Sequence, residues 1–170
     1  ACLDLYLQGL SLRKIRTHIN QFTEDGISHM QILRWLRKYS KDLKEFTDVL
    51  EPTLSKTYHA DEIFVKCNGE QHYYWDMIDA GTRFLVSTHY STKRDSKSAK
   101  MLFLKAKHRP LTLYTDRLQG YKKAYKKAYY SIYKDRQIEY IRLKADRDKR
   151  NNIVERIQGT IRDRIKVMRG

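Results

Sequence analysis

The feature that most constrains the fold is a change in hydrophobic period near residue 57. Before it, apolar residues recur at the spacing of an α-helix, and after it short runs of β-branched and aromatic residues begin. Three such runs come first, and helical and strand-like segments then alternate. This order predicts a mixed α/β domain around one sheet. The predicted strands are 58–66, 73–79, 83–88, 111–115 and 138–143, and the predicted helices are 96–107, 121–130 and a last one from about 151.

The first 45 residues predict three short helices. A helix over 3–8 stops at Gly9, because glycine favours the end of a helix. Ser11 and Ser28 are suitable N-caps for the second and third helices. Apolar residues follow the two caps at helical spacing: Leu12, Ile15 and Ile19, then Ile32, Leu33, Trp35 and Leu36. We therefore predict a small all-helical helix–turn–helix domain over 1–45, a linker over 46–57 and the α/β domain over 58–170.

The third predicted helix is basic. The segment from Ile27 through Lys41 contains four basic residues and no acid. In a helix–turn–helix, the N-terminal residues of the second helix of the pair meet base edges in the major groove. The candidate DNA contacts are therefore Ser28, His29, Gln31 and Arg34, with Arg37 and Lys38 further along the helix. The alternative is an ordinary three-helix bundle with a solvated basic face.

The charge of the chain indicates a polyanionic partner. The sequence has 35 Lys and Arg against 20 Asp and Glu, a net charge of +15. Residues 1–55 carry +1 of this charge and residues 56–170 carry +14. Nucleic acid is the commonest partner of so basic a protein. An anionic membrane and a ribosomal-type scaffold are the alternatives.

The cysteines and the hydropathy favour an intracellular protein. Cys2 and Cys67 have no neighbouring Cys or His pair at the spacing of a zinc site. No run approaches the roughly 18 apolar residues of a membrane span, and no signal peptide is visible. We therefore expect reduced thiols in a cytoplasmic, nucleoid-associated protein that does not bind membranes.

Three acidic residues occupy positions that a bound metal would explain. Asp61 lies inside the first predicted strand, where an unpaired charge is unfavourable. Asp116 directly follows the strand 111–115, and ligands of open α/β sheets lie beyond the carboxyl ends of strands. Glu155 lies near the start of the last helix. Three clustered carboxylates would repel one another, and a divalent cation such as Mg²⁺ removes that penalty.

The last predicted helix presents a polar stripe that contains Glu155. By the helical period, an apolar seam is formed by Ile153, Ile157, Ile161 and Ile165. The polar stripe lies about 140° away around the helix and consists of Glu155, Gly159, Arg162 and Lys166. Gly159 leaves space beside the carboxylate, and Arg162 and Lys166 add positive charge that suits a DNA phosphate.

Other residues compete for these roles. Asp79 also ends a β-type run and is a rival to Asp61, whereas Glu62 should point to the opposite sheet face. His59 and His89 are either metal ligands or hydrogen-bonded structural residues. The remaining acids near these segments are predicted to lie at the surface: Asp76, Asp146 and Asp148.

Three ordered segments resemble the catalytic domain of DDE transposases from bacterial and archaeal insertion sequences. HADEIFVKCNGEQHYYWDMIDAGTRFLVS (59–87) resembles its opening, LYTDRLQGY (113–121) its second-aspartate motif, and NNIVERIQGTIRDRIKVMRG (151–170) its glutamate motif. The helix–turn–helix stands upstream, in the family's order. Asp116 and Glu155 are 39 positions apart, somewhat more than is common in this group.

This resemblance implies an RNase H-like catalytic fold, shared with retroviral integrases, over 58–170 and continuing beyond Gly170. It assigns catalysis and metal binding to Asp61, Asp116 and Glu155, with Mg²⁺ or Mn²⁺ and two ions per site. It implies a polynucleotidyl transferase that cleaves DNA at transposon ends and transfers the 3′-hydroxyl into target DNA. The implied partners are terminal inverted repeats, target DNA and further copies of the chain.

Two other functions stay open at this point. A catalytically inactive DNA-binding regulator derived from a transposase would keep the basic charge and the helix–turn–helix, but it would have no need of the three acids. An RNase H-like nuclease would hydrolyse DNA without joining a 3′-hydroxyl to a target.

Overall fold

A computed structural model of the chain describes residues 1–24, 26–143 and 152–168. The chain forms two compact units, one of Ala1–Glu51 with Gly159–Gly170 and one of Pro52–Gln158. The division falls inside the last helix, whereas the sequence assigned residues 159–170 to the α/β domain. Those predicted domain boundaries stay a prediction. None of the helices in the described part of the chain is long and apolar enough to cross a membrane.

The N-terminal unit begins with helices α1 (Cys2–Leu7), α2 (Leu12–Ile19) and α3 (His29–Asp48). Both predicted N-caps are confirmed, because Ser11 Oγ accepts a hydrogen bond from Lys14 N and Ser28 Oγ accepts one from Gln31 N. The buried centre of the unit is formed by Ile15, Ile32 and Leu36. Helix α3 continues well beyond this centre and forms the first part of the predicted linker.

The second unit is built on a sheet with the strand order β3-β2-β1-β4-β5. The strands are β1 (Thr57–Cys67), β2 (Glu70–Asp79), β3 (Leu85–Ser91), β4 (Thr112–Thr115) and β5 (Glu139–Arg142). Strands β1, β2 and β3 pair antiparallel, whereas β4 pairs parallel with β1 and β5 parallel with β4. The predicted mixed sheet is therefore confirmed.

Two turns hold the antiparallel part of the sheet. Asn68 and Gly69 form the predicted turn between β1 and β2, and both have positive φ, 50° and 85°, as two-residue hairpin turns require. At the other end of β2, Asp79 Oδ1 accepts from Ser55 Oγ at 2.7 Å and Asp79 Oδ2 from Thr82 N at 2.9 Å. Although burial raises it, these hydrogen bonds bring the pKa of Asp79 below its usual value. Asp79 thus has a structural role in a turn.

Helices α4 (Ser96–Leu104) and α5 (Gln119–Ala128) pack on one face of the sheet. Strand alternation turns every second residue towards them. The sheet contributes Tyr58, Ala60, Trp75, Met77 and Leu113 to this core, and the helices contribute Ala99, Leu102, Phe103, Tyr121 and Ala124. Tyr121 meets Trp75 edge-on, with ring centroids 5.6 Å apart. This core fixes the start of α5, and with it the segment after β4, against the sheet.

The last helix, α6 (Asn152–Met168), begins close to its predicted start. Its buried side chains among the described residues include Val154 and Gln158, while Ile157 and Ile161 are only half-buried. The two most buried side chains thus lie one position after the predicted isoleucine seam. Hydrophobicity alone does not predict the buried side of α6, because one of its buried side chains is the amide Gln158.

Candidate active site

The parallel pairing of β1 and β4 brings two predicted site residues together. Ala60 lies opposite Thr115 in this pairing, and Asp61 and Asp116 are the next residues along each chain segment. Because the two strands point the same way, both aspartates lie at the same end of the pair. Their proximity thus follows directly from the strand register.

Carboxylate oxygens of Asp61, Glu62 and Asp116 all lie within 4.8 Å of one another. We call these three groups the acidic cluster. Strand alternation does place Glu62 on the face opposite Asp61, the face of Ala60, as predicted. However, β4 ends at Thr115, so the edge of β1 is open beside residues 61 and 62. The long Glu62 side chain reaches Asp116 there, a contact that strand alternation alone does not predict.

Backbone N–H groups hold both aspartates. Asp61 Oδ1 accepts a hydrogen bond from Glu62 N at 2.9 Å. Asp116 Oδ1 accepts one from Leu118 N at 2.8 Å, which turns the chain into the start of α5. Each bond uses one carboxylate oxygen and restricts the rotation of the group.

The cluster is electrostatically strained without a cation. Burial is the main reason that the pKa of Asp61 is raised to about 7; the charges of Glu62 and Asp116 act in the same direction, and the hydrogen bond from Glu62 N opposes them. Burial also raises the pKa of Glu62, against hydrogen bonds from Tyr121 and Arg94. Carboxylates this close favour a positive ligand, since it removes their mutual repulsion.

Two side chains already bind Glu62. The hydroxyl of Tyr121, a fully buried residue, donates to Glu62 Oε2 at 2.7 Å. Arg94 Nε donates to Glu62 Oε1 at 2.6 Å, and Arg94 Nη2 forms an ion pair with the same oxygen. The Glu62 side chain is only 3% exposed. Both of its oxygens are therefore engaged by the protein.

The donor set fits a divalent cation that prefers oxygen ligands. Mg²⁺ is commonly held by one or two carboxylates together with water and substrate oxygens. Asp61 and Asp116 are the residues best placed to hold it, because Glu62 is bound by Arg94 and Tyr121. Glu62 adds negative charge beside them.

Helix α6 approaches the cluster through Gln158. The side chain of Gln158 lies beside Asp61, where it favours the charged carboxylate. Glu155 lies one turn earlier on the same helix and is exposed. Among the described residues, the structure thus brings Asp61 and Asp116 together and leaves Glu155 outside the acidic cluster. Gln158 is not among the predicted site residues, although its spacing of three residues from Glu155 indicates the same side of the helix.

The other candidate acids and histidines lie elsewhere. Asp76 faces Asp61 across the β1–β2 ladder and is 0% exposed, so the prediction that it lies at the surface was wrong. β2 is an inner strand of the sheet, which the sequence does not reveal. His59 is buried against Tyr114, with ring centroids 4.6 Å apart, and His89 is half-buried on β3. Two further acids, Asp146 and Asp148, lie outside the described residues.

A comparison with protein families shows the family to which the chain belongs. The sequence profile of the DDE domain of the IS240 transposases matches residues 55–170. The chain belongs to this family of DDE transposases. Its class is thus that of the RNase H-like polynucleotidyl transferases. A comparison with curated proteins finds no match.

Solved structures resemble this transposase in fold. A chain of the simian T-cell lymphotropic virus intasome, solved in complex with PP2A regulatory subunit B56 gamma, is similar over 94% of the transposase and 58% of its own length, with a TM-score of 0.50 and 14% identity. The catalytic core domain of HTLV-2 integrase, solved in complex with magnesium, is similar over 66% of the transposase and 71% of its own length, with a TM-score of 0.48 and 18% identity. The likeness to the intasome chain confirms the predicted RNase H-like fold.

The predicted DNA contacts of the transposase lie on α3 and α6. On α3, Arg34, Arg37 and Lys38 are exposed. The hydroxyl of Ser28 caps the same helix, and the next two candidates, His29 and Gln31, are half-buried. On α6, Arg162 is exposed, and the side chain of Lys166 lies outside the described residues. The predicted space beside Gly159 is present, since a Cβ there would meet nothing within 4 Å.

Proposed function

We propose that this protein is an active transposase that cuts DNA at transposon ends and joins the freed 3′-hydroxyl to target DNA. The observation that carries this proposal is the meeting of Asp61 and Asp116 at the common end of β1 and β4, in a chain of the IS240 family. A half-buried aspartate with a raised pKa beside two further acids is typical of a functional site. A DNA-binding regulator has no need of such a cluster.

In this proposal Asp61 and Asp116 hold two divalent cations, Mg²⁺ or Mn²⁺, and Glu155 completes the set from α6. Glu155 lies one helical turn from Gln158, which is beside Asp61, so a change of rotamer directs its carboxylate towards that side of the helix. Two bound ions would stabilise the charge on the attacking and the leaving oxygen of a phosphodiester.

One site serves both proposed reactions. In cleavage, water attacks the phosphorus atom and the bond to the 3′-oxygen of the transposon end breaks. In strand transfer, that 3′-hydroxyl attacks a phosphorus atom of the target, and a second 3′-oxygen leaves. Each step forms one P–O bond and breaks another, so metal ions held by the same carboxylates would serve both steps.

A strand-transfer assay tests this function directly. The full chain is incubated with Mg²⁺ or Mn²⁺, target DNA and a pre-cut transposon end that carries a free 3′-hydroxyl. We expect a covalently joined product that depends on the metal and on the end sequence. Hydrolysis without joining would identify an RNase H-like nuclease, and specific binding without any reaction would identify an inactive regulator.

We propose that α2 and α3 form a helix–turn–helix that recognises terminal inverted repeats. The connection between the two helices is held by Asn20, whose side chain accepts a hydrogen bond from Ile27 N at 2.9 Å and donates one to Ile27 O at 3.3 Å. This link fixes the chain just before the N-terminus of α3. Arg34 is then an exposed cation in the first half of the helix that would enter the major groove.

Arg34→Ala should weaken binding to terminal-repeat DNA more than binding to random DNA. A bidentate contact from arginine to a base contributes about 1–3 kcal/mol to discrimination, so we expect a loss of roughly 10- to 100-fold on the specific sequence only. Fluorescence anisotropy at one fixed salt concentration measures both affinities. The control is Lys44→Ala, an exposed cation further along the same helix. An equal loss on both DNAs would mean that Arg34 contacts phosphate.

We propose that the transposase acts as a homo-oligomer and that α3 forms part of the contact. Apolar residues follow one another along α3 and its end at alternating spacings of four and three: Ile32, Leu36, Tyr39, Leu43, Phe46 and Leu50. This is the spacing of a coiled-coil seam. Ile32 and Leu36 are buried, but Tyr39, Leu43 and Phe46 are 54%, 48% and 62% exposed.

A second copy of α3 fits this seam better than a charged partner does. The residues that flank the exposed part carry a single charge: Ser40, Asp42, Thr47 and Val49. Because these flanking residues are nearly neutral, the seam does not require a partner of opposite charge. An apolar seam at heptad spacing can pack against a second copy of itself. The basic residues Arg34, Arg37 and Lys41 lie on other sides of the helix and remain available for DNA.

Leu43→Glu should convert the proposed dimer to monomers. A charge at a seam position loses its hydration when a partner helix packs on it, whereas the same residue in the monomer is exposed. Sedimentation velocity over a range of protein concentrations measures the change, and circular dichroism checks the helix content. The control is Lys41→Glu, an exposed position away from the seam, which should remain dimeric. A monomeric wild type, or a dimeric Leu43→Glu, would exclude this surface.

A further inference from the structure

We infer that Arg94 binds a phosphate of the DNA strand at the active site, and that Glu62 and Tyr121 position its guanidinium for that contact. The inference rests on the proposed function, because it assigns a DNA contact within the same site. Arg94 and Tyr121 are not among the site residues predicted from the sequence.

The guanidinium of Arg94 is held at the edge of the acidic cluster. Arg94 lies between β3 and α4. Its Nε donates to Glu62 Oε1 at 2.6 Å, and its Nη2 lies 4.0 Å from Asp116 Oδ2. Its Cζ lies 5.7 Å from the centre of the Phe64 ring. The Arg94 side chain nevertheless stays 38% exposed.

A rigid chain of contacts connects this arginine to the core. Glu62 is 3% exposed and accepts a hydrogen bond from the Tyr121 hydroxyl at 2.7 Å. Tyr121 is fully buried, and its ring packs against Trp75 and Phe103, with centroids 5.6 and 6.0 Å away. The core thus fixes Tyr121, Tyr121 orients Glu62, and Glu62 orients Arg94. A flexible surface arginine would have no need of so buried an anchor.

The chemistry of the exposed side of Arg94 fits a phosphate. A guanidinium carries five N–H donors in a planar fork, and Glu62 uses the Nε and Nη2 edge. Donors remain on the exposed part of the group, directly beside the carboxylates that would hold the metal ions at the reacting phosphodiester. Hydrogen bonds between arginine and phosphate are assisted by charge and are directional. If Arg94 only neutralised the charge of Asp116, the guanidinium N–H groups that Glu62 does not bind would have no role at the site.

Single neutral phosphates can test this contact. Methylphosphonate linkages, which lack the negative charge, are placed one at a time around the cleavage position of a transposon end. Cleavage is measured in single turnover with Mg²⁺ for the wild type, Arg94→Gln and Lys97→Gln. Lys97 is an exposed cation three residues further on and serves as the matched control.

We expect one methylphosphonate position to slow the wild type and Lys97→Gln about tenfold or more and to have no further effect on Arg94→Gln. Arg94→Lys keeps the charge without the fork and should recover only part of the rate. Glu62→Gln should lose the same positional effect, because it frees Arg94. If it does not fold, the Arg94 variants still decide the test. If every methylphosphonate slows Arg94→Gln by the same factor as it slows the wild type, the inference is overturned. A wild type that does not cleave would contradict the proposed function instead.

Discussion

Asp116→Asn should eliminate nearly all metal-dependent cleavage of transposon-end DNA and leave DNA binding nearly intact. The substitution keeps the shape and the hydrogen bond from Leu118 N to Oδ1 but removes one of the three negative charges of the acidic cluster. An amide is a poor ligand for Mg²⁺ compared with a carboxylate. We expect a loss of about three orders of magnitude in the cleavage rate, or roughly 4 kcal/mol.

The Asp116→Asn experiment has a readout that does not depend on catalysis. Mn²⁺ or Mg²⁺ should raise the melting temperature of the wild type, because a ligand that binds only the folded state stabilises it. Asp116→Asn should lose most of that rise. The matched control is Asp135→Asn, an acid that is 77% exposed and outside the acidic cluster, which should behave like the wild type. Undiminished cleavage by Asp116→Asn would remove Asp116 from the set of metal ligands.

The positions of Asp61 and Asp116 could be predicted because they depend on local signals. Each residue occupies or follows a short apolar run of strand type, and the ends of parallel strands are the usual place for ligands in such sheets. The register of β1 against β4 then places the two residues side by side. The helix caps Ser11 and Ser28 were predictable for the same reason, since a cap and its partner N–H are three residues apart.

Glu62 and Arg94 could not be placed from the sequence. Alternation gives the face of a strand on which a side chain starts, but it does not reveal that β4 ends early and leaves the edge of β1 open. The contact of Glu62 with Arg94 joins residues 32 positions apart, through a loop whose path depends on the packing of α4. The burial of Asp76 could not be predicted either. It depends on β2 being an inner strand, and the order of the strands is a property of the whole sheet.

The acidic cluster poses a question about the third metal ligand that two substitutions answer. The motif assigns this role to Glu155, whereas the structure places Glu62 beside Asp61 and Asp116. The two residues differ in a way that experiments can separate. Glu155 is exposed and forms no ion pair among the described residues, while Glu62 is buried and bound by Arg94 and Tyr121. A free carboxylate can turn to a metal ion, and a bound one must first give up its partners.

Glu155→Gln should therefore lose about three orders of magnitude in the cleavage rate with almost no change in stability, since an exposed substitution rarely changes stability by more than about 0.5 kcal/mol. Glu62→Gln should show the opposite pattern. It weakens hydrogen bonds to a charged, buried group, which costs about 2 kcal/mol of stability, and it slows cleavage only through Arg94, about tenfold. Chemical denaturation and single-turnover cleavage at saturating Mg²⁺ measure the two quantities on each variant. If Glu155→Gln cleaves normally and Glu62→Gln is inactive at saturating metal while still folded, Glu62 is the third ligand and the motif assignment of Glu155 is wrong. The comparison separates the two assignments because Glu155→Gln is expected to lose cleavage rate and keep its stability. Glu62→Gln is expected to lose stability with a much smaller loss of cleavage rate.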